Sequence, residues 1–224
     1  MGRTFKIHRK YYGEDYSPIF KKSEIEIEPG LTVFVGCNGS GKTTLLKQIK
    51  SILNNSEEKI PFLYYDNYNK SLGDMQSKFA YVSDYYSFLA KASTSSEGER
   101  ITEKMKQIST EMGALVRANQ TSKEYWFLFD AIDSGLSIDS IVELKDGLFK
   151  FVINKVKDKD IYVIVCTNAF EFANNEKCFD VVGGKYIPFK DYNEYKDFIL
   201  KSAEIKYKRY KKDNEMYKKK NGET

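Results

Sequence analysis

Short apolar segments, separated by stretches in which apolar residues recur every three or four positions, extend along most of the chain. Alternating apolar and polar positions over 5–9 and 23–27 predict two half-exposed strands that form an antiparallel flank. Paired glycines inside 179–188 predict a hairpin. Continuous apolar runs are typical of buried parallel strands, and they fall at 31–35, 62–65, 126–129 and 161–166.

Helical spacing of apolar residues fills the intervals between these strands. It predicts one helix that begins near Lys42 and ends before Asn54, a second that begins at Gly98, a third over 138–156, and helical structure after the hairpin. Strands that alternate with helices imply an α/β fold, in which a mostly parallel sheet is flanked by helices. The polar, Tyr-rich stretch 66–95 receives no assignment.

Composition is that of an ordinary globular protein, with 41% hydrophobic and 30% charged residues. No apolar run approaches the roughly 20 residues that span a bilayer, and the first residues lack the apolar segment of a signal peptide. We therefore expect a cytoplasmic protein with no membrane partner. The three cysteines, Cys37, Cys166 and Cys178, are widely spaced and support neither a disulfide framework nor a zinc site.

The loop after the first buried strand carries the clearest chemistry. It satisfies the P-loop pattern GxxxxGK[ST] and stands between a strand and a helix, as that motif requires. Its glycines let backbone N–H groups turn inward around an anion, and the helix N-terminus adds the positive end of its dipole. Lys42 then reaches the β- and γ-phosphates, and the Thr43 hydroxyl ligates Mg²⁺. The predicted ATP and Mg²⁺ site consists of Gly36, Asn38, Gly39, Ser40, Gly41, Lys42, Thr43 and Thr44.

Three segments, in this order along the chain, resemble motifs of the ABC-type ATPases. Residues 38–44 are similar to the Walker A form GxNGxGKTT, and residues 95–100 resemble the signature motif in the form used by SMC-like and RecF-like heads. Residues 127–137 are similar to a Walker B strand followed by a D-loop. The resemblance implies an ABC-type P-loop NTPase domain over 1–200, which leaves a basic C-terminal segment at 201–224.

The resemblance also implies roles for the second and third segments. The signature residues meet the γ-phosphate held by a second copy of the chain, so a homodimer that encloses ATP is expected; they are Ser96, Glu97, Gly98 and Glu99. The same Ser and Glu spacing also fits an ordinary helix capping box. Asp130 ends a buried strand beside the P-loop, where it holds Mg²⁺ together with Thr43. The D-loop that crosses the dimer interface is Ser134, Gly135 and Leu136.

Two positions depart from the family pattern. Ala131 stands where the family has its catalytic Glu, and Asn168 stands where it has the switch His. A methyl group cannot deprotonate a water, and an amide does not titrate near neutral pH. We therefore expect slow hydrolysis, unless Asp133 or, after it, Asp139 supplies the base; Asp133 serves equally well as a cap of the next helix. An Ala introduced in place of Glu to trap ATP would give the same sequence.

Two further family functions have several candidates. The residue that senses Mg²⁺ and the γ-phosphate is Asn67, at the end of the second buried strand, or Gln76 in the unassigned stretch. The aromatic side chain that stacks on adenine lies upstream of the P-loop in the family, and the candidates are Tyr12, Tyr16 and Phe20.

Positive charge concentrates near the C-terminus, where lysines and one arginine alternate with tyrosines. Such a helix can neutralise phosphates and stack on bases, although a solvated helix face has the same composition. The nucleic-acid candidates are Lys208, Arg209, Lys211 and Lys212.

The interval between motifs narrows the function. Only 54 positions separate Lys42 from Ser96, which leaves little room for the membrane-gripping subdomain of transporters and none for a long coiled coil. Resemblance to small ABC-type and AAA ATPases of bacteria and phages implies an ATP-dependent homodimer that acts in DNA maintenance, DNA repair or phage–host conflict. The alternative is a nucleotide-dependent switch with little or no hydrolysis that acts on a protein partner.

Overall fold

A computed structural model describes residues 2–9, 17–67, 97–156 and 158–221, without the side chains of 97–101. Within these ranges the strands are β1 (Arg3–Lys6), β2 (Glu24–Ile27), β3 (Gly30–Val35), β4 (Phe62–Asp66), β5 (Glu124–Asp130), β6 (Asp160–Cys166), β7 (Lys177–Asp180) and β8 (Lys185–Ile187). The α-helices are α1 (Lys42–Asn54), α2 (Glu97–Ala118), α3 (Ile138–Val142), α4 (Lys150–Lys155), α5 (Phe170–Ala173) and α6 (Tyr192–Asn221), and a π-helical segment (Glu143–Phe149) joins α3 to α4.

Six of the strands form one sheet in the order β4-β5-β6-β3-β7-β8. The first five are parallel, and β8 runs antiparallel to β7 at the edge. Strands β1 and β2 pair antiparallel in a separate two-stranded sheet. The α/β class, the mostly parallel sheet and the antiparallel N-terminal flank are thus confirmed.

Side chains of the central strands alternate between two apolar cores, one on each face of the sheet. On one face Trp126 stacks on Tyr162 with ring centres 3.9 Å apart, and Phe5 of β1 meets the indole edge-on. This core also holds the apolar face of α1. On the other face Phe129 packs on Phe149 of the π-helical segment, with ring centres 4.9 Å apart. Burial on both faces explains why β3, β5 and β6 read as continuous apolar runs.

The prediction for the first strand is wrong in its bounds. The alternation over 5–9 places it too late, since β1 spans Arg3–Lys6 and pairs in register from Arg3 with Ile27 to Lys6 with Glu24. Beyond the strand, Ile7 keeps one further backbone bond to Ser23. The apolar positions continue past the end of the regular ladder, so alternation alone does not mark where β1 stops.

The single helix predicted over 138–156 is also wrong in detail, because its middle is π-helical. Leu144 and Phe149, five residues apart, are both buried, which the wider turn of a π-helix permits. Between them Lys145 is buried, and its ammonium donates to the carbonyls of Glu171 and Asn174 at 2.8 and 3.1 Å. These bonds attach the π-helical segment to the short helix α5, which the sequence pattern did not predict.

Helix α6 continues without interruption through the boundary expected after residue 200. Its start is capped by side chains: Asp191 accepts a bond from the Glu194 amide, and Glu194 accepts one from the Lys190 amide. No helix within the described ranges is long and apolar enough to cross a membrane.

The loops that follow β3, β5 and β6 emerge at the same edge of the sheet, because these neighbouring strands are parallel. In open parallel sheets this carboxyl edge is where ligands bind. The P-loop, Asp130 and Asn168 therefore meet at one place.

Candidate functional site

The P-loop curls tightly between β3 and α1. Gly36, Gly39 and Gly41 have positive φ angles of 148°, 77° and 101°. At Gly36 a Cβ would lie 2.5 Å from the Ser40 hydroxyl, and at Gly41 it would lie 2.9 Å from the Ile19 side chain. Glycine at these two positions is thus required by packing as well as by backbone conformation.

Lys42, the first residue of α1, points its ammonium into the curl of the loop. Its Nζ donates to the carbonyls of Gly36 and Cys37 at 2.7 and 3.3 Å, and to Oδ1 of Asn168 at 2.9 Å. The side chain is buried, and burial lowers its pKa. A buried ammonium is stabilised by an anion, so this position favours a phosphate.

The Thr43 hydroxyl donates to Oδ1 of Asp130 at 3.0 Å. Burial raises the pKa of Asp130, while the bond from Thr43 opposes that rise. An alcohol beside a carboxylate is a ligand set that suits Mg²⁺, which takes its remaining ligands from phosphate and water. The described residues contain no cluster of three or more His, Cys, Asp or Glu that could hold a metal by itself. The pair fits Mg²⁺ bound together with a nucleotide.

The turn after β5 brings Ala131 and Asp133 to the same cavity, which has a volume of about 380 Å³. Ala131 has a φ of 52°, a left-handed conformation that is costly for a residue with a Cβ. Its amide donates to the Cys166 carbonyl at the end of β6. The methyl group therefore occupies a constrained position on the cavity wall, directly after Asp130.

Asn168 connects the separate parts of the site. Its side chain accepts a bond from Lys42 and donates one to Oδ1 of Asn38 at 2.9 Å. Its backbone N–H donates to Oδ2 of Asp133 at 3.1 Å. Its carbonyl accepts a bond from the Tyr195 hydroxyl of α6 at 3.1 Å. The structure thus brings Asn168 and Asp133 into direct contact, and Asn168 holds the P-loop, the β5 turn and α6 together.

Asn67 lies beside the site without lining the cavity. Its amide donates to the Asp130 carbonyl at 3.2 Å, and its side chain donates to the Ser134 carbonyl at 3.1 Å. Its Oδ1 accepts a bond from Lys104 of α2 at 2.9 Å. Asn67 therefore bridges the end of β5, the turn that follows it and α2. The other sensor candidate, Gln76, lies outside the described residues.

The D-loop candidates form the exposed turn between β5 and α3. Gly135 has a φ of 78°, and Ser134 contributes to the cavity wall. Of the signature candidates, Ser96 lies outside the described residues, and α2 begins at Glu97. The side chains of Glu97 and Glu99 are likewise outside the described part.

Phe20 lies in the core, where its ring is not accessible to a ligand. Its side chain is 1% exposed and packs in the core against Gly41, so its assignment as an adenine-stacking residue is wrong. Tyr12 and Tyr16 lie outside the described residues. Ile19, next to Phe20, lines the cavity instead.

The contact between α6 and the P-loop is not among the features predicted from the sequence. The Cys37 amide donates to the Ser202 hydroxyl at 3.2 Å, and Lys206 donates to the Asn38 carbonyl at 2.9 Å. Arg209 and Tyr210 line the cavity. Steps of three and four residues along a helix place side chains on one face, and that spacing is the signal that could have found them.

The four nucleic-acid candidates fall into two groups. Arg209 is half-buried and faces the cavity, whereas Lys208, Lys211 and Lys212 are exposed. Of these four candidates, Arg209 therefore lies at the cavity and the three lysines face solvent.

Comparison with models of protein families matches residues 20–129 to the family described as ABC transporter. The matched region contains the P-loop and ends one residue before Asp130, so α6 lies outside it. A search of curated proteins finds no match.

Proposed function

The chain contains an ATPase domain of the ABC type, and on this premise we propose that it is a compact head that closes as a homodimer around ATP and Mg²⁺. Domains of this family bind ATP with Mg²⁺ and commonly dimerise. The observation that carries the proposal is the convergence of Lys42, Thr43 and Asp130 on one cavity beside a glycine loop.

Phosphate binding follows from how the loop presents its cation. The carbonyls of Gly36 and Cys37 hold the Lys42 ammonium within the curl of the loop. A phosphate oxygen carries a negative charge that a neutral carbonyl lacks, and charges attract more strongly away from bulk water, so phosphate oxygens would be favoured over these carbonyls. Mg²⁺ at Thr43 and Asp130 would offset the charge of the phosphates.

Slow hydrolysis is the second part of the proposal. Ala131 offers no group that can accept a proton, and Asn168 is a neutral amide bonded to Lys42 and Asn38. Asp133 lines the cavity, but its Oδ2 accepts the Asn168 amide. We assign Asp133 the positioning of Asn168, which favours a nucleotide-dependent switch over a fast enzyme.

Dimerisation is tested by light scattering of the natural chain with and without ATP and Mg²⁺. The exposed turn at Ser134 is the proposed contact, so Ser134→Arg should keep the chain monomeric, while Asn54→Arg, which adds the same charge at the exposed far end of α1, should leave the dimer intact. A natural chain that stays monomeric at every accessible concentration of protein and ATP would contradict the proposed homodimer around ATP.

The biological role proposed is DNA maintenance, DNA repair or phage–host conflict in the cytoplasm, by resemblance to compact SMC-like and RecF-like heads. Lys208, Lys211 and Lys212 form the exposed cationic face of α6 that would contact DNA. Replacing all three by Gln should abolish a gel shift that weakens steeply with salt. Unchanged binding in that variant would instead favour action on a protein partner.

A further inference from the structure

Helix α6 is docked across the nucleotide loop along most of its length. Tyr195 near its start bonds the Asn168 carbonyl, and Asp213 near its end accepts the Ser17 amide at 3.0 Å. Between them Ser202 and Lys206 bond consecutive residues of the P-loop. At 1.5 Å per residue these anchors extend over about 27 Å of helix, so α6 is a wall of the site rather than a loose tail.

Arg209 and Tyr210 lie between the last two anchors, at the cavity itself. The Arg209 guanidinium lies 5.3 Å from the centre of the Tyr210 ring, which is the range of a cation–π contact. The Tyr210 hydroxyl lies 3.3 Å from the position that a Cβ on Gly39 would occupy. Tyr210 therefore touches the P-loop on one side and the guanidinium on the other.

We propose that Arg209 is a phosphate-binding residue of the nucleotide site, supplied by the C-terminal helix and positioned by Tyr210. Among the described residues that line the cavity, Lys42 and Arg209 are the two cations. No carboxylate of the described chain lies within ion-pair distance of Arg209, so its guanidinium is available to a ligand. The proposal rests on the proposed binding of ATP.

The chemistry of the side chain suits this role. A guanidinium has five N–H donors in a planar fork that matches two oxygens of one phosphate, whereas Lys42 acts as a point charge. Lys42 is enclosed in the curl of the loop, while Arg209 is supplied by α6, next to Tyr210, which lies against Gly39. The two cations therefore grip a triphosphate from two directions.

The test compares Arg209→Gln with Lys208→Gln and Lys211→Gln, which remove the same charge from the exposed face of the same helix turn. Affinities for ATP and for inorganic tripolyphosphate, both with Mg²⁺, are measured by calorimetry on the full chain. Arg209→Gln should weaken both ligands about tenfold, as expected for lost bonds to a charged group, and the two controls less than about twofold. Equal effects in all three variants would overturn the proposal, as would a loss confined to ATP.

Substitutions of Tyr210 test whether its ring positions Arg209. Tyr210→Phe keeps the ring and should retain affinity, while Tyr210→Ala should weaken ATP and tripolyphosphate alike, by about threefold. Tyr207→Ala, at a residue that is 69% exposed, is the control. A loss for ATP alone in Tyr210→Ala would assign the ring to the base and contradict the positioning role.

Failure of the inference and failure of the proposed function give different results. If the natural chain binds neither ligand, ATP binding itself is refuted. If Lys42→Ala abolishes binding while Arg209→Gln does not weaken it, only the role of Arg209 is refuted. Should Arg209→Gln lower the melting temperature, Arg209→Lys decides, because it keeps the charge but loses the fork; natural affinity in that variant would overturn bidentate binding.

Discussion

Two parts of the cavity lining differ in the chemical groups that they supply. The phosphate side combines the glycine loop, Lys42 and the Thr43–Asp130 pair, whose oxygens lie 3.0 Å apart. The part of the lining where a water would be activated presents Ala131 and Asn168. Binding depends on backbone geometry that many residues enforce, whereas hydrolysis depends on one carboxylate at one position. The difference teaches that the groups for binding a nucleotide can be complete where the family's catalytic carboxylate is absent, which is the basis of the proposed slow hydrolysis.

The largest expected effect is on the phosphate side. Lys42→Ala should reduce ATP affinity by roughly 100-fold, because it removes the enclosed cation of the loop. Calorimetry measures the change, and Lys47→Ala, on the exposed face of α1, is the matched control. Retained affinity in Lys42→Ala would mean that the nucleotide binds elsewhere.

A gain of function is expected from a substitution at Ala131. Ala131→Glu restores a carboxylate next to Asp130, and a positioned general base contributes about 10²–10⁴-fold to a rate. We expect ATP turnover to rise at least about tenfold in steady-state phosphate release. Ala131→Gln has the same size without a basic group and should remain slow. Similar rates in the two variants would show that position 131 does not set hydrolysis.

Replacing Asp130 should have opposite effects on ligand binding and on stability. Burial raises the pKa of Asp130 in the folded chain, so ionising this carboxyl lowers the free energy of unfolding. That loss of stability develops as pH rises through the raised folded pKa. Asp130→Asn keeps an acceptor for Thr43 but carries no charge, so it should raise the free energy of unfolding at pH 7. This gain should shrink as pH falls through the folded pKa, while the Mg²⁺ dependence of ATP binding should be lost.

Urea denaturation at several pH values measures the stability of Asp130→Asn, and ATP titration with and without Mg²⁺ measures binding. A variant that is less stable than the natural chain at neutral pH would contradict the cost of burying the charge.

The smallest effect concerns the backbone of the turn. Ala131 has a φ of 52°, so Ala131→Gly should stabilise the fold by about 0.5 kcal/mol through relief of the left-handed strain. Ala169→Gly, at a residue with an ordinary φ of −81°, should destabilise it. Urea denaturation measures the free energy of unfolding of both variants. If both substitutions lower it, the turn carries no strain.

Local patterns explain what could be predicted from the sequence. The P-loop, the strand that ends in Asp130, and the start of α1 at Lys42 are each specified by neighbouring residues. The contact between Lys206 and Asn38 joins residues 168 positions apart and depends on the docking of α6. A basic run in the sequence does not show that Arg209 faces the cavity while Lys208 faces solvent.

Other features depend on packing that no short window contains. The π-helical segment follows from the burial of Leu144 and Phe149 together with the bonds of Lys145. Phe20 fits the expected position of an adenine-stacking residue, but close packing against Gly41 places it in the core. In both cases tertiary contacts override a correct local pattern.

We propose that this chain binds ATP much faster than it hydrolyses it. The direct measurement mixes excess natural protein with Mg²⁺ and γ-labelled ATP, stops the reaction at intervals, and separates ATP from phosphate. If the missing base costs about 10²–10⁴-fold relative to a typical enzyme rate, the bound ATP should persist for roughly 10 to 1,000 s. Complete release of phosphate within about a second would contradict the account.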